Sequence, residues 1–372
     1  MSKPLRWLFL SNMFPSVADP SYGAFVARSL DDLRTEGLDI RHVIVISGRR
    51  ARWQKLFAYL RYFRDLLKAG IGGGIDAIYA HYASHHCLPI ALLSIVFRKR
   101  LILHIHGDDL AVRAGLSRSL NRIGQGLLVR RAELIVVPSL FFAELLRSIY
   151  SQIDSTKIQV SPSSGVDTTA FADHDSVRRP GHWASRAPDG VVRVGFVGRI
   201  DADKGWELLT QAWSMLPPDQ QERVHLGFWG GGKEAGKLRD WVARVGLHNV
   251  SFNGQVGPER VPEIHRQFDI HVVPSYRESL GLSAVEGMAA GHLVLCSDIR
   301  PFIDITMDGR EVLHFHSGNA ASLRDALSRA LGMHPDDVAK ISAAARRLAL
   351  DFDRRTVAHQ LSTSIKSKLC RR

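Results

Sequence analysis

Two carboxylates, Glu278 and Glu286, stand eight positions apart in RESLGLSAVEGMAAG, on either side of Gly281 and Leu282. The first follows an apolar strand. The second falls in the first turn of a helix of small residues, where a carboxylate can accept the two vicinal hydroxyls of a ribose. Each has an ordinary reading too. Glu278 suits a solvated loop, and Ser283 to Glu286 fits the S-x-x-E capping box of a helix beginning near Ser283. Upstream, GRIDADKG sets Gly198, Arg199, Lys204 and Gly205 between an apolar strand and a helical pattern. Glycine lets backbone approach a ligand, and the free N–H groups of a helix start attract anions. Two cations there can clamp a diphosphate, or decorate a solvated turn. Asp201 and Asp203 form a D-x-D pair suited to Mg²⁺ or Mn²⁺. The cations flanking that pair weigh against a metal, and none is expected. Gly230 to Gly232 make a second close-approach loop. In RLILHIHGDDL, His104 and His106 alternate at the end of a strand. Either His106 meets a ligand, or the two are core histidines on one face.

Strands must hold these loops. LRWLFL, IRHVIVI, AIYAHY, RLILHIH and ELIVVPS read as short apolar strands in the first half, separated by helical patterns such as AFVARSLDDLRTEG. VRVGFVG, VHLGFWG, VSFNG, IHVVPS and HLVLCSD repeat the scheme in the second. Near-continuous apolar strands with helical crossovers mean parallel sheets covered on both faces. Two such sets predict an α/β protein of two Rossmann-like, doubly wound domains facing a cleft. The expected division is 1–170, a linker at 171–190 where prolines and glycines break the pattern, a second domain at 191–350, and a C-terminal helix at 351–372 that crosses back to the first domain.

The 372 residues, 45% hydrophobic and 23% charged, suit two globular domains rather than one core or a disordered chain. Cys87, Cys296 and Cys370 are widely spaced and form no disulfide framework, which fits a reducing cytoplasm. The opening apolar run is short for a signal peptide and reads as a first strand. The longest apolar stretch, Cys87 to Phe97, contains Pro89 and falls well short of the roughly 20 residues of a membrane span. No G-x-G-x-x-G follows the first strand, which argues against a dinucleotide dehydrogenase.

Taken in order, GR-x4-KG, a V-x-F-x-G strand and P-S-x-x-E-S-x-G-L-x-x-x-E-x-M-A-x-G resemble the retaining glycosyltransferases of family 4, over nearly the whole chain. The P-S-x-x-D-P-S-Y-G-x-F-V form of the first loop is similar to bacterial exopolysaccharide, O-antigen and teichuronic-acid glycosyltransferases. The resemblance implies a GT-B type fold and an E-x7-E motif at Glu278 and Glu286. It implies that Glu278 faces the donor sugar and its phosphates, and that Glu286 holds the donor ribose. Arg199 and Lys204 would clamp the diphosphate, and Gly23 would bring a glycine loop to the donor. His106, in H-G-x-D, would lie near the donor sugar, with Asp109 bracing the loop. Implied catalytic residues are His106, Arg199, Lys204 and Glu278. Donor contacts would come from Gly23, Gly198, Arg199, Lys204, Ser279, Gly281, Leu282 and Glu286. Ser164 stands where the family usually has Asn, and Leu293 where it usually has Pro.

Of the net charge of +12, residues 1–170 carry 22 Lys and Arg against 13 Asp and Glu. RRARWQKLFAYLRYFRDLLK, residues 49–68, alone holds seven bases and one acid. Arg49, Arg50, Arg52, Lys55, Arg61, Arg64 and Lys68 accompany Trp53, Leu56, Phe57, Leu60, Phe63 and Leu67, which share one helical face. Basic, aromatic and amphipathic together describe a helix lying on an anionic membrane. The alternative is a helix burying that face on the sheet. No motif that reads DNA or RNA accompanies the charge, so nucleic acid is not expected.

The expected reaction is transfer of a hexose from a nucleotide-diphosphate sugar, GDP-mannose or a UDP-hexose, to a lipid-linked or other glycan acceptor, without metal or other cofactor. It would serve envelope or exopolysaccharide synthesis at the cytoplasmic face of the plasma membrane. A sugar-nucleotide epimerase or a phosphorylase of the same build is one alternative. A non-catalytic membrane-binding scaffold is another.

Overall fold

Runs such as Ala77–His81 and Leu293–Ser297 are buried at every position. A strand with one wet face alternates instead, so these strands are covered on both sides. The computed structural model describes residues 4–19, 22–82, 84–107, 109–110, 117–172 and 191–369. By internal contact the chain divides into two units, Met1–Gly165 with Arg354–Arg372, and Val166–Asp353.

The first unit is a six-stranded parallel sheet of β1 (Arg6–Phe14), β2 (Asp39–Ser47), β3 (Ala77–His81), β4 (Arg100–His104), β5 (Leu134–Val137) and β6 (Ile158–Val160), in the order β2-β1-β3-β4-β5-β6. Helices of eight residues or more are numbered here. α1 (Ala24–Thr35) packs Val26, Leu30 and Leu33 against Trp7 and Phe9 on one face. α2 (Arg52–Ile71), α3 (Cys87–Val96), α4 (Ser117–Arg131) and α5 (Leu140–Ile149) cover the other through Tyr62, Leu66, Ile90, Leu128 and Leu146.

The second unit is another six-stranded parallel sheet. Its strands are β7 (Val192–Val197), β8 (Val224–Trp229), β9 (Val250–Phe252), β10 (Ile270–Val273), β11 (Leu293–Ser297) and β12 (Leu313–Phe315), in the order β12-β11-β10-β7-β8-β9. α6 (Trp206–Ser214), α7 (Ala235–Val245), α9 (Ala320–Gly332) and the start of α10 (Pro335–Ala349) share one core; α8 (Leu282–Ala290) and the end of α10 share the other. Gly287 lets α8 lie close to the sheet: a Cβ there would stand 2.4 Å from His271 Nδ1. α11 (Arg354–Leu369) belongs to the first unit, where Leu361, Ile365 and Leu369 join the Trp7 and Phe9 core. Arg354 Nε donates to Asp32 Oδ1 at 2.7 Å, fixing its start.

In each sheet the strand order reverses once, between β1 and β3 and between β7 and β10. Doubly wound sheets bind ligands outside the carboxyl ends of their strands at that point.

Several expectations are corrected. The units divide at Gly165/Val166 and Asp353/Arg354, not at 170 and 350, because Val166 and Phe171 join the second core. Residues 173–190 of the expected linker lie outside the described residues, as do Asp108 and Cys370. β6 and β12 were not expected. Both are three-residue edge strands. Of the stripe on α2 only Phe63 packs against the core. Trp53, Leu56, Phe57, Leu60 and Leu67 are all at least half exposed, and Tyr62 and Leu66 meet the core instead. No helix among the described residues is long and apolar enough to cross a membrane.

Candidate functional site

The loops after β7 and β10 meet at the reversal of the second sheet. After β7 the chain makes a short turn, Ala202–Lys204, and enters α6 at Gly205. Gly205 has φ 69°, and a Cβ there would stand 1.8 Å from Pro274 O in the loop after β10. Only glycine allows that approach. Tyr276 N donates to Asp203 O at 2.9 Å, which ties the two loops together. Across this seam Lys204 Nζ donates to Glu278 Oε1 at 2.7 Å, and Ser275 Oγ donates to the same oxygen at 2.8 Å. The ion pair is mostly shielded, with Lys204 18% and Glu278 12% exposed.

Arg199 lies in the same loop and is 56% exposed. It pairs with Asp201 and, at 3.3 Å, with Asp203. Both cations are held by carboxylates of these two loops. A cation drawn partly out of water is stabilised by the nearest acid. Asp201 Oδ1 also accepts from Lys233 N at 2.9 Å, so both of its oxygens are engaged within the protein. That geometry does not turn the D-x-D pair towards a metal.

α8 begins at Leu282, with Gly281 as N-cap at φ 90°. This overturns the capping box. Ser283 lies inside the helix, and its hydroxyl donates to Val197 O at 2.9 Å, pinning the helix start to the end of β7. Glu286 therefore sits a turn into the helix, half-buried, rather than in its first turn. Gly198 closes β7, its N–H donating to Trp229 O at 3.0 Å, while Ser279 and Leu282 are half-buried beside Gly281. The N-termini of α6 and α8 thus follow the two strands that flank the reversal, and helix N-termini attract anions. Ser275 is the site residue that the sequence reading did not single out. Its signal was position, three residues before Glu278 at the mouth of a strand.

In the first unit, Gly23 is the N-cap of α1 at φ 73°. Two residues on, the Phe25 ring meets His106 edge-on at 4.9 Å, so the helix start and His106 are neighbours. Asp109 braces the loop, accepting from His106 N at 3.0 Å and Gly107 N at 2.8 Å. His104 is a core histidine, fully enclosed, with Nδ1 2.9 Å from Tyr79 Oη. His106 Nε2 is 2.8 Å from Nδ1 of His81 on β3. Burial pushes His104 down to about 3 and holds His81 and His106 well below the ordinary histidine value. All three are neutral near pH 7.

These three rings stand close enough to suggest a metal site, but their planes do not allow one. The His81 and His106 rings lie within 9° of parallel, joined edge to edge by that hydrogen bond. His104 stacks on His106 at 4.3 Å and 20°. Lone pairs lie in the ring planes, and stacked planes do not converge on one ion.

Comparison with known proteins agrees with this architecture. Residues 178–348 match the family described as Glycosyl transferases group 1, and residues 17–163 match the Glycosyl transferase 4-like domain. A curated relative, the D-inositol 3-phosphate glycosyltransferase of Nocardia farcinica, is 31% identical over 222 residues, 56% of this chain and 47% of that protein. The corresponding protein of Streptomyces scabiei is 30% identical over 247 residues, 62% of this chain and 53% of that protein. The chain thus spans about half the length of the curated relatives it matches. Among solved structures, Anabaena Alr3699/HepE in complex with UDP-glucose superimposes with a TM-score of 0.74 at 20% identity, over 98% of this chain and 100% of that one. A glycosyltransferase from Rickettsia africae ESF-5 gives 0.75 at 16% identity over the whole of both chains. The chain accordingly has the GT-B type fold, with residues 17–163 similar to the glycosyltransferase 4-like domain and residues 178–348 similar to the group 1 glycosyl transferases.

Proposed function

We propose that this chain transfers a hexose from a nucleotide-diphosphate sugar, a UDP-hexose or GDP-mannose, to an acceptor hydroxyl, retaining the anomeric configuration and using no metal. The observation that carries this reading is the Lys204–Glu278 pair, held at the strand-order reversal beside the starts of α6 and α8. That arrangement offers a cation and free N–H groups to a diphosphate and a carboxylate to the group attached to it. UDP-glucose bound to Anabaena Alr3699/HepE and the glycosyltransferase names of the curated relatives support it.

In this reading Lys204 and Arg199 take up the charge that grows on the leaving diphosphate, with Gly198 and Gly281 giving it room. Glu278 faces the sugar, Glu286 receives the ribose hydroxyls, and Ser279 and Leu282 line the approach. Gly23 and His106 contact substrate, His106 as a neutral ring. The bond from the anomeric carbon to the diphosphate breaks as the bond to the acceptor oxygen forms on the same face. The acceptor proton passes to the departing phosphate oxygen. The acceptor is a lipid-linked glycan at the cytoplasmic face of the plasma membrane, in envelope or exopolysaccharide synthesis. The exposed apolar and basic face of α2 supports that placement.

Release of UDP or GDP from a panel of donor sugars, with membrane lipid extract as acceptor, tests the reading. Acceptor-dependent release, unaffected by inorganic phosphate or by chelator, is expected. Phosphate-dependent release would indicate a phosphorylase, interconversion of the donors an epimerase, and chelator-sensitive release a metal.

A further inference from the structure

α2 has two apolar faces, and only one is used by the fold. Tyr62 and Leu66 point into the core and are 2% exposed. Trp53, Phe57, Leu60, Leu67 and Ile71 are 53–75% exposed. At about 100° per residue, these five and Leu56 fall within about 100° of arc, opposite Tyr62 and Leu66. The outward stripe is therefore broken only by Arg64 and is not a scatter of single surface residues.

The stripe does not end with α2. Gly70 abuts α3, where an added Cβ would stand 2.8 Å from the Phe97 ring. α3 is apolar nearly all round, CLPIALLSIV, and leaves Leu92, Ile95 and Val96 49–69% exposed. α4 lies against α3 in turn, since a Cβ on Gly124 would be 2.8 Å from Leu88 N, and it exposes Ile123. α2, α3 and α4 cover the same face of the same sheet. One layer of the first unit thus presents a broad apolar surface. Bases border it and enter it: Arg61 and Lys68 follow one edge of the α2 stripe, Arg64 falls within its arc, and Arg49 and Arg50 precede its start, all exposed. Over residues 49–68 seven bases face one acid, Asp65.

We propose that the outer face of α2, continued by α3 and α4, is a membrane-docking surface that inserts its apolar side chains among anionic lipids. Apolar side chains rimmed by arginine and lysine match the acyl and headgroup layers of such a leaflet. Charge also selects against the other occupants. A second copy docking face to face would bring two of these stretches of seven bases and one acid together, and like charges oppose association. A nucleic-acid backbone would satisfy the bases and leave the apolar stripe in water. This inference deepens the membrane part of the proposed function by naming the surface. Its test uses neither donor nor acceptor, so its failure would leave the transferase reading standing.

The experiment is sedimentation of the whole chain with phosphatidylcholine vesicles and with vesicles of phosphatidylcholine and phosphatidylglycerol. Two variants accompany it, Trp53→Ser with Phe57→Ser and Arg64→Glu with Lys68→Glu. All four side chains are exposed, so the thermal midpoint is expected to hold. The wild-type chain should bind the anionic vesicles, and more weakly as salt is raised. Each double variant should weaken binding on the order of tenfold or more. Equal binding to neutral and anionic vesicles would overturn the electrostatic part. Unchanged binding by the Trp53/Phe57 variant would overturn the surface. A wild-type dimer that this variant converts to monomer would show that a second copy covers it.

Discussion

Mild acid should unfold this protein, and the first unit should yield most. His81, His86, His104 and His106 are enclosed in that unit, and burial depresses all four. His86 comes down to about 4 and His104 to about 3. The folded rings are therefore neutral at about pH 5.5, whereas in the unfolded chain they take up protons at an ordinary value of about 6.5. Between those values the unfolded state binds more protons, so stability rises with pH. The contribution is fully present above the unfolded value and is lost as the pH falls below it. From about pH 7 to about pH 5.5, each ring costs about 1.3 kcal/mol. Four independent rings make about 5 kcal/mol for the first unit. His265 and His271, depressed in the same way, make about 2.5 kcal/mol for the second. Asp76, held at about 2 by the Arg6 guanidinium, titrates below this window and does not blur it. Urea unfolding at the two pH values, followed by circular dichroism, measures the difference. A thermal scan should drop by on the order of 10–20 °C for the first unit. A change under about 1 kcal/mol would mean that the rings are protonated in the fold, and would refute the neutral histidine core and the neutral His106 drawn from it.

Two further outcomes follow from the geometry. Lys204→Ala removes a cation held 2.7 Å from Glu278 and should lower turnover on the order of 100-fold, with donor affinity falling less, as steady-state kinetics would show. Leu361→Ala, at a side chain 4% exposed where α11 meets the Trp7 and Phe9 core, should cost about 2–5 kcal/mol in urea unfolding without changing nucleotide affinity.

Much of this architecture was legible because buried parallel strands announce themselves as apolar runs. Ten of the runs quoted from the sequence became strands. β6 and β12, three residues each at the sheet edges, were missed, although β9, equally short and also at an edge, was read from VSFNG. The glycines of the site were legible by type, but what they do was not. Gly205 matters because Pro274 O lies where its side chain would go, a contact between segments nearly 70 residues apart. The same blindness hid the Lys204–Glu278 pair: sequence marks both as charged and says nothing of their meeting. The capping box failed because Gly281, in the left-handed region, starts the helix earlier than Ser283 and leaves the serine hydroxyl to Val197 O. On α2 the period identified an amphipathic helix. It could not show that Tyr62 and Leu66, on the opposite side, supply the face that packs.

The most direct test of the central claim is nucleotide binding at the β7/β10 loops, read from the thermal midpoint with UDP and with GDP. At about 100 times its dissociation constant, the cognate nucleotide should stabilise the fold by about 2.7 kcal/mol, a rise of several degrees. Only one of the two should do so, and Glu286→Ala should abolish most of the rise. A midpoint indifferent to both nucleotides, or a rise that survives intact in Glu286→Ala, would contradict the assignment of this crevice to the donor.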